Sequence, residues 1–108
     1  MPPLNPRQIK ALDRVTAAHV AELFRALGDP SRVRIVAALT DGELNVSALA
    51  EIVDLSESAV SHHMRGLRQM RLVRSRRDGR QVFYSLDDDH IVELFELGLD
   101  HVLHDRDS

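Results

Sequence analysis

Three of the six histidines, His90, His101 and His104, fall together with Asp88 in one acidic stretch near the C-terminal end of the chain. Imidazole nitrogens and a carboxylate are ordinary protein ligands of Zn²⁺ and Co²⁺. His101 and His104 are three residues apart, so on a helix they share a face and can bind one ion together. His90 precedes His101 by eleven residues, which returns it to nearly the same azimuth but leaves it about 16 Å away along the helix axis. One ion cannot bridge that gap within one chain. Two copies of the helix packed antiparallel would bring Asp88 and His90 of one protomer beside His101 and His104 of the partner subunit, giving two equivalent sites in a two-fold dimer. Asp88 and His90 are two apart, which a regular helix splays, so they need the looser backbone of a helix cap; the run Asp87-Asp88-Asp89 supplies one. Three imidazoles and one carboxylate form a closed tetrahedral set, best suited to Zn²⁺ and acceptable to Co²⁺, whereas Ni²⁺ takes more ligands. On spacing alone a competing reading, in which these are surface or interface groups of an ordinary dimer helix, stays open. His19, isolated further up the chain, reads as packed rather than ligating.

A second cluster is basic. Residues 61–80 hold seven arginines, Arg65, Arg68, Arg71, Arg74, Arg76, Arg77 and Arg80, against the single acid Asp78. Residues 87–108 hold eight acids against Arg106, so the net charge of −3 is a sum of opposed blocks. A basic block on a small domain suits a polyanion, and an acidic block carrying histidines suits a cation. Charge alone would also fit two solvated faces of opposite sign.

The elements needed to position these groups follow from periodicity and punctuation. Residues 1–8, with Pro2, Pro3 and Pro6, are expected to form a mobile arm, and residues 9–108 one folded domain. Apolar positions from Ile9 to Leu27 recur at helical spacing, as one long helix or a broken one, and stop at Gly28. Asp29-Pro30-Ser31 then opens a second helix that runs to Asp41-Gly42. Ser47 can cap a short third helix, and Ser56 a fourth after the break at Asp54-Leu55. In the fourth, Ser58, Ser61, His62, Arg65 and Arg68 interleave with Val60, Met64 and Leu67. The period changes to two from Leu72, and Asp78-Gly79 between two such runs signals a hairpin ending at Leu86. The aspartate run opens a last helix with an apolar stripe from Ile91 to Leu103. Helix, helix, helix-turn-helix, hairpin, helix is the order of a winged helix-turn-helix, an α+β and mostly helical fold with N- and C-terminal helices left for dimerisation.

A second helix with small polar and basic side chains suits the major groove of duplex DNA. Ser56, Ser58, Ser61, His62, His63 and Arg65 are the candidate contacts there, and Arg76, Arg77 and Arg80 at the hairpin would supply salt-sensitive affinity for a flanking groove or the backbone. The competing reading is a helix-turn-helix used for protein contacts, with arginines that are merely solvated.

Composition bounds the alternatives. At 108 residues and 44% hydrophobic content the chain suits one soluble domain, and its 4% aromatic content leaves Leu, Val, Ile and Ala to build the core. The absence of cysteine excludes disulfides, thiolate metal sites and thiol catalysis, and with no apolar leader or span the expected location is the cytoplasm. A zinc hydrolase would need an open coordination position and a general base in a cleft; four ligands and no pocket motif argue that the chain is not an enzyme.

Three stretches carry a family resemblance: Leu27-Gly28-Asp29-Pro30-Ser31-Arg32, the run from Val53 to Met64, and the run from Gly79 to Leu86. Together they resemble the ArsR/SmtB family of metal-responsive transcriptional repressors, over about residues 16–104. The pattern Asp88-x-His90-x10-His101-x2-His104 is similar to the last-helix site of that family's zinc and cobalt sensors. The resemblance implies a homodimer that binds operator DNA without metal and releases it when zinc joins the last helices, with DNA weakening zinc binding by the same factor. It implies as carrier a hydrogen bond from the free ring nitrogen of a ligand histidine, His101 being the choice, to the recognition helix near His62. Asn45 stands where members with a second class of site have cysteine, so that site is expected to be missing, and the arsenic, cadmium and lead branches are disfavoured by the lack of cysteine. Two alternatives remain within regulators. One is a cobalt or nickel sensor that recruits His19 or the arm, and the other is a metal-insensitive DNA-binding protein with a structural metal site.

Overall fold

Side-chain caps set the starts of the helices in the computed structural model, which describes residues 5–107. Helix α1 (Pro6–Lys10) opens with a capping box: Asn5 Oδ1 accepts from Gln8 N at 2.9 Å, and Gln8 Oε1 accepts from Asn5 N at 2.9 Å. The segment expected as an arm is therefore helical from Pro6, the first-turn position where a proline costs no hydrogen bond; residues 1–4 lie outside the described residues. Asp13 starts α2 (Arg14–Leu27) by accepting from Thr16 N at 2.7 Å, so the first apolar stretch is broken in two. Asp29 does the same for α3 (Pro30–Leu39) through Arg32 N at 3.0 Å.

A short strand β1 (Leu44–Asn45), not expected from the sequence, precedes α4 (Val46–Val53). Asn45, rather than the expected Ser47, caps α4, accepting from Ala48 N at 2.7 Å. Strand pairing gives the reason: Asn45 is held extended opposite Phe83, the backbone state a cap requires, so the helix begins one residue later. Asp54 takes the left-handed conformation at φ 56 and stops α4, with Leu55 N bonded to Ala50 O at 3.0 Å. Helix α5 (Glu57–Gln69) is capped by Ser56, as expected. It ends with Arg71 at φ 58 and paired bonds from Leu72 N to Leu67 O and Arg71 N to Arg68 O, which turn the chain into the hairpin.

Strands β2 (Val73–Asp78) and β3 (Gln81–Leu86) pair antiparallel, and the sheet order is β1-β3-β2. The hairpin register places Asp78 opposite Gln81, so the two-residue loop is Gly79-Arg80, one position later than Asp-Gly. Gly79 at φ 63 takes the first loop position, where a hairpin turn favours glycine, and Arg80 rather than Asp78 sits at the tip. Helix α6 (Asp89–Asp107) completes the chain.

The core is apolar throughout the described residues, with no buried polar side chain. Ile35, Val36 and Leu39 of α3, Leu49 and Val53 of α4, and Val60, Met64 and Leu67 of α5 meet Tyr84 and Leu86 of the sheet. Ile91, Val92 and Phe95 pack the first half of α6 against this core. This is a winged helix-turn-helix: α4 and α5 are the two helices, and β2–β3 is the wing.

Candidate functional site

Helix α5 divides cleanly by face. Val60, Met64 and Leu67 are fully buried, while Ser58, His62 and Arg65 are exposed and Ser61 is half-buried. Ser61 sits where two clefts beside the wing meet. One, about 400 Å³, is lined by Ser47, Ser58, Ser61, Arg80 and Gln81 among others; the second, of similar size, by Ser61, Arg65, Arg68, Gln69 and Tyr84. The packing thus places the start of α4, the outer face of α5 and the wing tip around one basic, hydroxyl-lined surface. Ser56 immediately precedes Glu57, which lines the first cleft, and its hydroxyl oxygen is engaged in the cap with the O–H still free to donate. Ser47, Arg68 and Gln81 join this surface without having been singled out as contacts. Ser47 reads as a cap by type alone, and only the fold of the wing onto α5 reveals Gln81.

Two candidates, Arg76 and His63, are engaged elsewhere. Arg76 pairs with Glu43, its Nε donating to Oε2 at 3.2 Å, and its guanidinium lies over the Phe83 ring at 4.7 Å. The hydrogen bond to Arg76 holds the Glu43 carboxyl below its ordinary range and pushes the Arg76 guanidinium up. Arg77 occupies the opposite face of β2, across from Val82, and is exposed. His63 is half-buried, and its Nδ1 accepts from Arg32 Nε at 3.2 Å.

Just past the base of the hairpin, Asp88 sits ahead of α6, and its Oδ1 accepts from His90 N at 2.8 Å and Ile91 N at 3.3 Å. The same oxygen lies 3.5 Å from His90 Nδ1. Bonds of about 2.0–2.1 Å at a tetrahedral angle separate two zinc donors by about 3.3 Å, so this pair fits one edge of such a site. His101 and His104, both exposed, are eleven and fourteen residues beyond His90 on the same helix. Among the described residues no three His, Cys, Asp or Glu side chains of one chain come together as a metal-holding group. Half of a ligand set stands at each end of α6.

Between the two ends the helices carry apolar surface that the single chain leaves open. A groove of about 410 Å³ between α2, α3 and α6 is lined by Phe24, Val33, Phe95, Leu99 and Val102 among others. Phe24 is 55% exposed and Leu97, further along α6, 70%. No helix among the described residues is long and apolar enough to cross a membrane.

Comparison with known proteins gives consistent results. Residues 29–75 match the family described as "Bacterial regulatory protein, arsR family". The "Transcriptional repressor SmtB homolog" of Synechocystis sp. is 48% identical over 95 residues, 88% of this chain and 70% of that protein. The crystal structure of the AntR antimony-specific transcriptional repressor superposes with a TM-score of 0.83 at 28% identity, over 100% of both chains. The solution structure of a homodimeric winged helix-turn-helix DNA-binding domain from Mycobacterium bovis, a possible ArsR-family regulator, superposes with a TM-score of 0.72 at 27% identity, over 97% of this chain and 91% of that one. In sequence and in fold, the chain belongs to the ArsR/SmtB family of bacterial transcriptional regulators.

Proposed function

We propose that the chain is a cytoplasmic, homodimeric transcriptional repressor that binds operator DNA through α5 and the wing and loses affinity for it when Zn²⁺ is bound. Residues 9–108 form the single DNA-binding and dimerisation domain in this reading. The observation that carries it is the split ligand set: Asp88 and His90 converge to 3.5 Å at the start of α6, while His101 and His104 wait at its other end. Antiparallel contact of two α6 helices joins the halves, and the open apolar groove along α6 provides the surface for that contact. The soft metalloid named for AntR has no thiolate to bind here, whereas the imidazole and carboxylate donors suit zinc or cobalt. Bound there, zinc would cross-link the last helices of the two protomers.

On the DNA side, Ser58, Ser61, His62, Arg65, Arg77 and Arg80 reach the duplex, with Ser56 at the start of the helix. The two α5 helices of a dimer must enter successive major grooves about 34–36 Å apart, so a change in how the protomers meet at α6 alters the fit. Fluorescence anisotropy of the dimer on the duplex upstream of its own gene, at fixed salt, with chelator and then with zinc, tests the proposal. A tenfold or larger loss of affinity with zinc, about 1.4 kcal/mol of coupling, is expected and should vanish in His90→Ala and His101→Ala. Equal affinity in both conditions would leave a DNA-binding protein that does not sense zinc.

A further inference from the structure

The geometry points to Arg32 as a positioning residue for operator reading, clamping the recognition helix α5 through His63 and over Gly66; this rests on the DNA-binding role proposed for α5. Arg32 belongs to the first turn of α3, where its own N–H is fixed by the Asp29 cap. Its side chain reaches outward to two other helices. Nε donates to His63 Nδ1 at 3.2 Å, and one terminal nitrogen donates to Ala26 O, near the end of α2, at 3.4 Å. The guanidinium lies in the notch at Gly66: a Cβ there would come within 2.5 Å of one terminal nitrogen and 3.0 Å of the central carbon. One planar cation thus ties the end of α2, the start of α3 and the middle of α5. Arg32 and His63 are both half-buried, so the contact is partly shielded from water.

The contact specifies a tautomer: Nδ1 accepts from Arg32 only when it carries no proton, so the hydrogen bond calls for the Nε2–H form of His63. His62 packs edge-on to His63 with ring centroids 6.0 Å apart, and being exposed it remains the outward member of the pair. His63 therefore faces the frame, and its contribution to DNA binding is to hold the angle of α5 against α2 and α3.

Gly66→Ala gives the sharpest test, because the atoms it displaces are the flexible end of Arg32 and alanine favours helix more than glycine. Thermal stability is expected to stay level or rise while operator affinity, read by anisotropy, falls tenfold or more. Arg32→Met should give a similar loss, with affinity for an unrelated duplex and the salt slope of binding unchanged, since Arg32 meets no phosphate. His63→Leu should match it, His63→Gln, which restores an acceptor, should recover most of the loss, and the Arg32→Met/His63→Leu double variant should be no worse than either single one. Operator affinity within twofold of wild type in Gly66→Ala and Arg32→Met, a salt slope lowered by about one, or additive losses in the double variant would overturn the assignment. Long-range ¹⁵N NMR of the DNA-free protein tests the contact independently: the Nε2–H tautomer of His63 should dominate and weaken in Arg32→Met. If the wild type fails to bind its upstream duplex, the DNA reading of α5 falls and Arg32 loses its positioning role, while the tautomer still reports whether the clamp exists.

Discussion

Asp88 caps α6 in the structure and is a ligand in the proposed metal site, and substitution can separate the two. Its Oδ1 accepts the N–H groups of His90 and Ile91 at the start of α6, and the same oxygen lies 3.5 Å from His90 Nδ1, in position to share an ion. Asp88→Ala removes both cap and ligand. Loss of a cap costs about 1 kcal/mol, which for a domain of this size is a fall of about 4–8 °C in Tm. Asp88→Ser keeps a capping oxygen but offers no carboxylate, and His104→Ala leaves the cap intact while removing an imidazole. Thermal unfolding followed by circular dichroism, at one fixed protein concentration, should rank the variants. With chelator, Asp88→Ser and His104→Ala should match the wild type, and Asp88→Ala alone should fall. With zinc at about a hundredfold excess over its Kd, the wild type should gain about 2.7 kcal/mol per site, a gain that all three variants largely lose. An unchanged Tm for Asp88→Ala in chelator would refute the capping argument. A full zinc gain in Asp88→Ser would refute the carboxylate as a ligand, and a full gain in His104→Ala would refute the joining of the two ends of α6.

The apolar groove sets a second expectation: Phe24→Asp or Leu99→Asp should convert the proposed dimer to monomers in sedimentation equilibrium, because each puts a charge on the open face of α2 or α6. In the core, Leu49→Ala, at a fully buried site, should lower the urea-derived stability by about 2–5 kcal/mol without moving the wing. The carboxyls of Asp13, lowered chiefly by the Thr16 N–H, and Glu43, lowered chiefly by Arg76, stabilise the fold above the ordinary carboxyl range. That contribution is lost as pH falls through their depressed values, so Asp13→Asn and Glu43→Gln should each flatten the acid limb of a stability profile. On DNA, Arg80→Ala should lower the salt slope of binding by about one, whereas Arg76→Ala, whose guanidinium is paired with Glu43, should leave the slope nearly unchanged; equal losses would put both on the phosphates.

Legibility in the sequence followed the range of the interaction. The cap residues Asp29 and Ser56, the stop at Asp54 and the change of period at Leu72 act on backbone within a few residues, and each sits in the structure where its residue type placed it. The misplacements arose where a distant strand decided a local choice. Asn45 caps α4 because β3 holds it extended, and Ser47, an equally good capping residue by type, is left inside the helix. The hairpin loop moved from Asp78-Gly79 to Gly79-Arg80 because register is fixed by pairing all along β2 and β3, from Val73 opposite Leu86 to Asp78 opposite Gln81, and not by the turn residues alone. The same limit governs the candidate site. Spacing could place Asp88 and His90 at a cap because both lie in one turn, but Arg32 and His63 are separated by 31 residues. Nothing in either neighbourhood marks a hydrogen bond between them. A basic stretch reads as uniform in sequence, yet Arg76 is spent on Glu43 and Phe83 while Arg80 stands at the wing tip. Which arginines face a duplex is decided by partners that only the packed chain brings near, so charge count identifies the surface and geometry selects the residues within it.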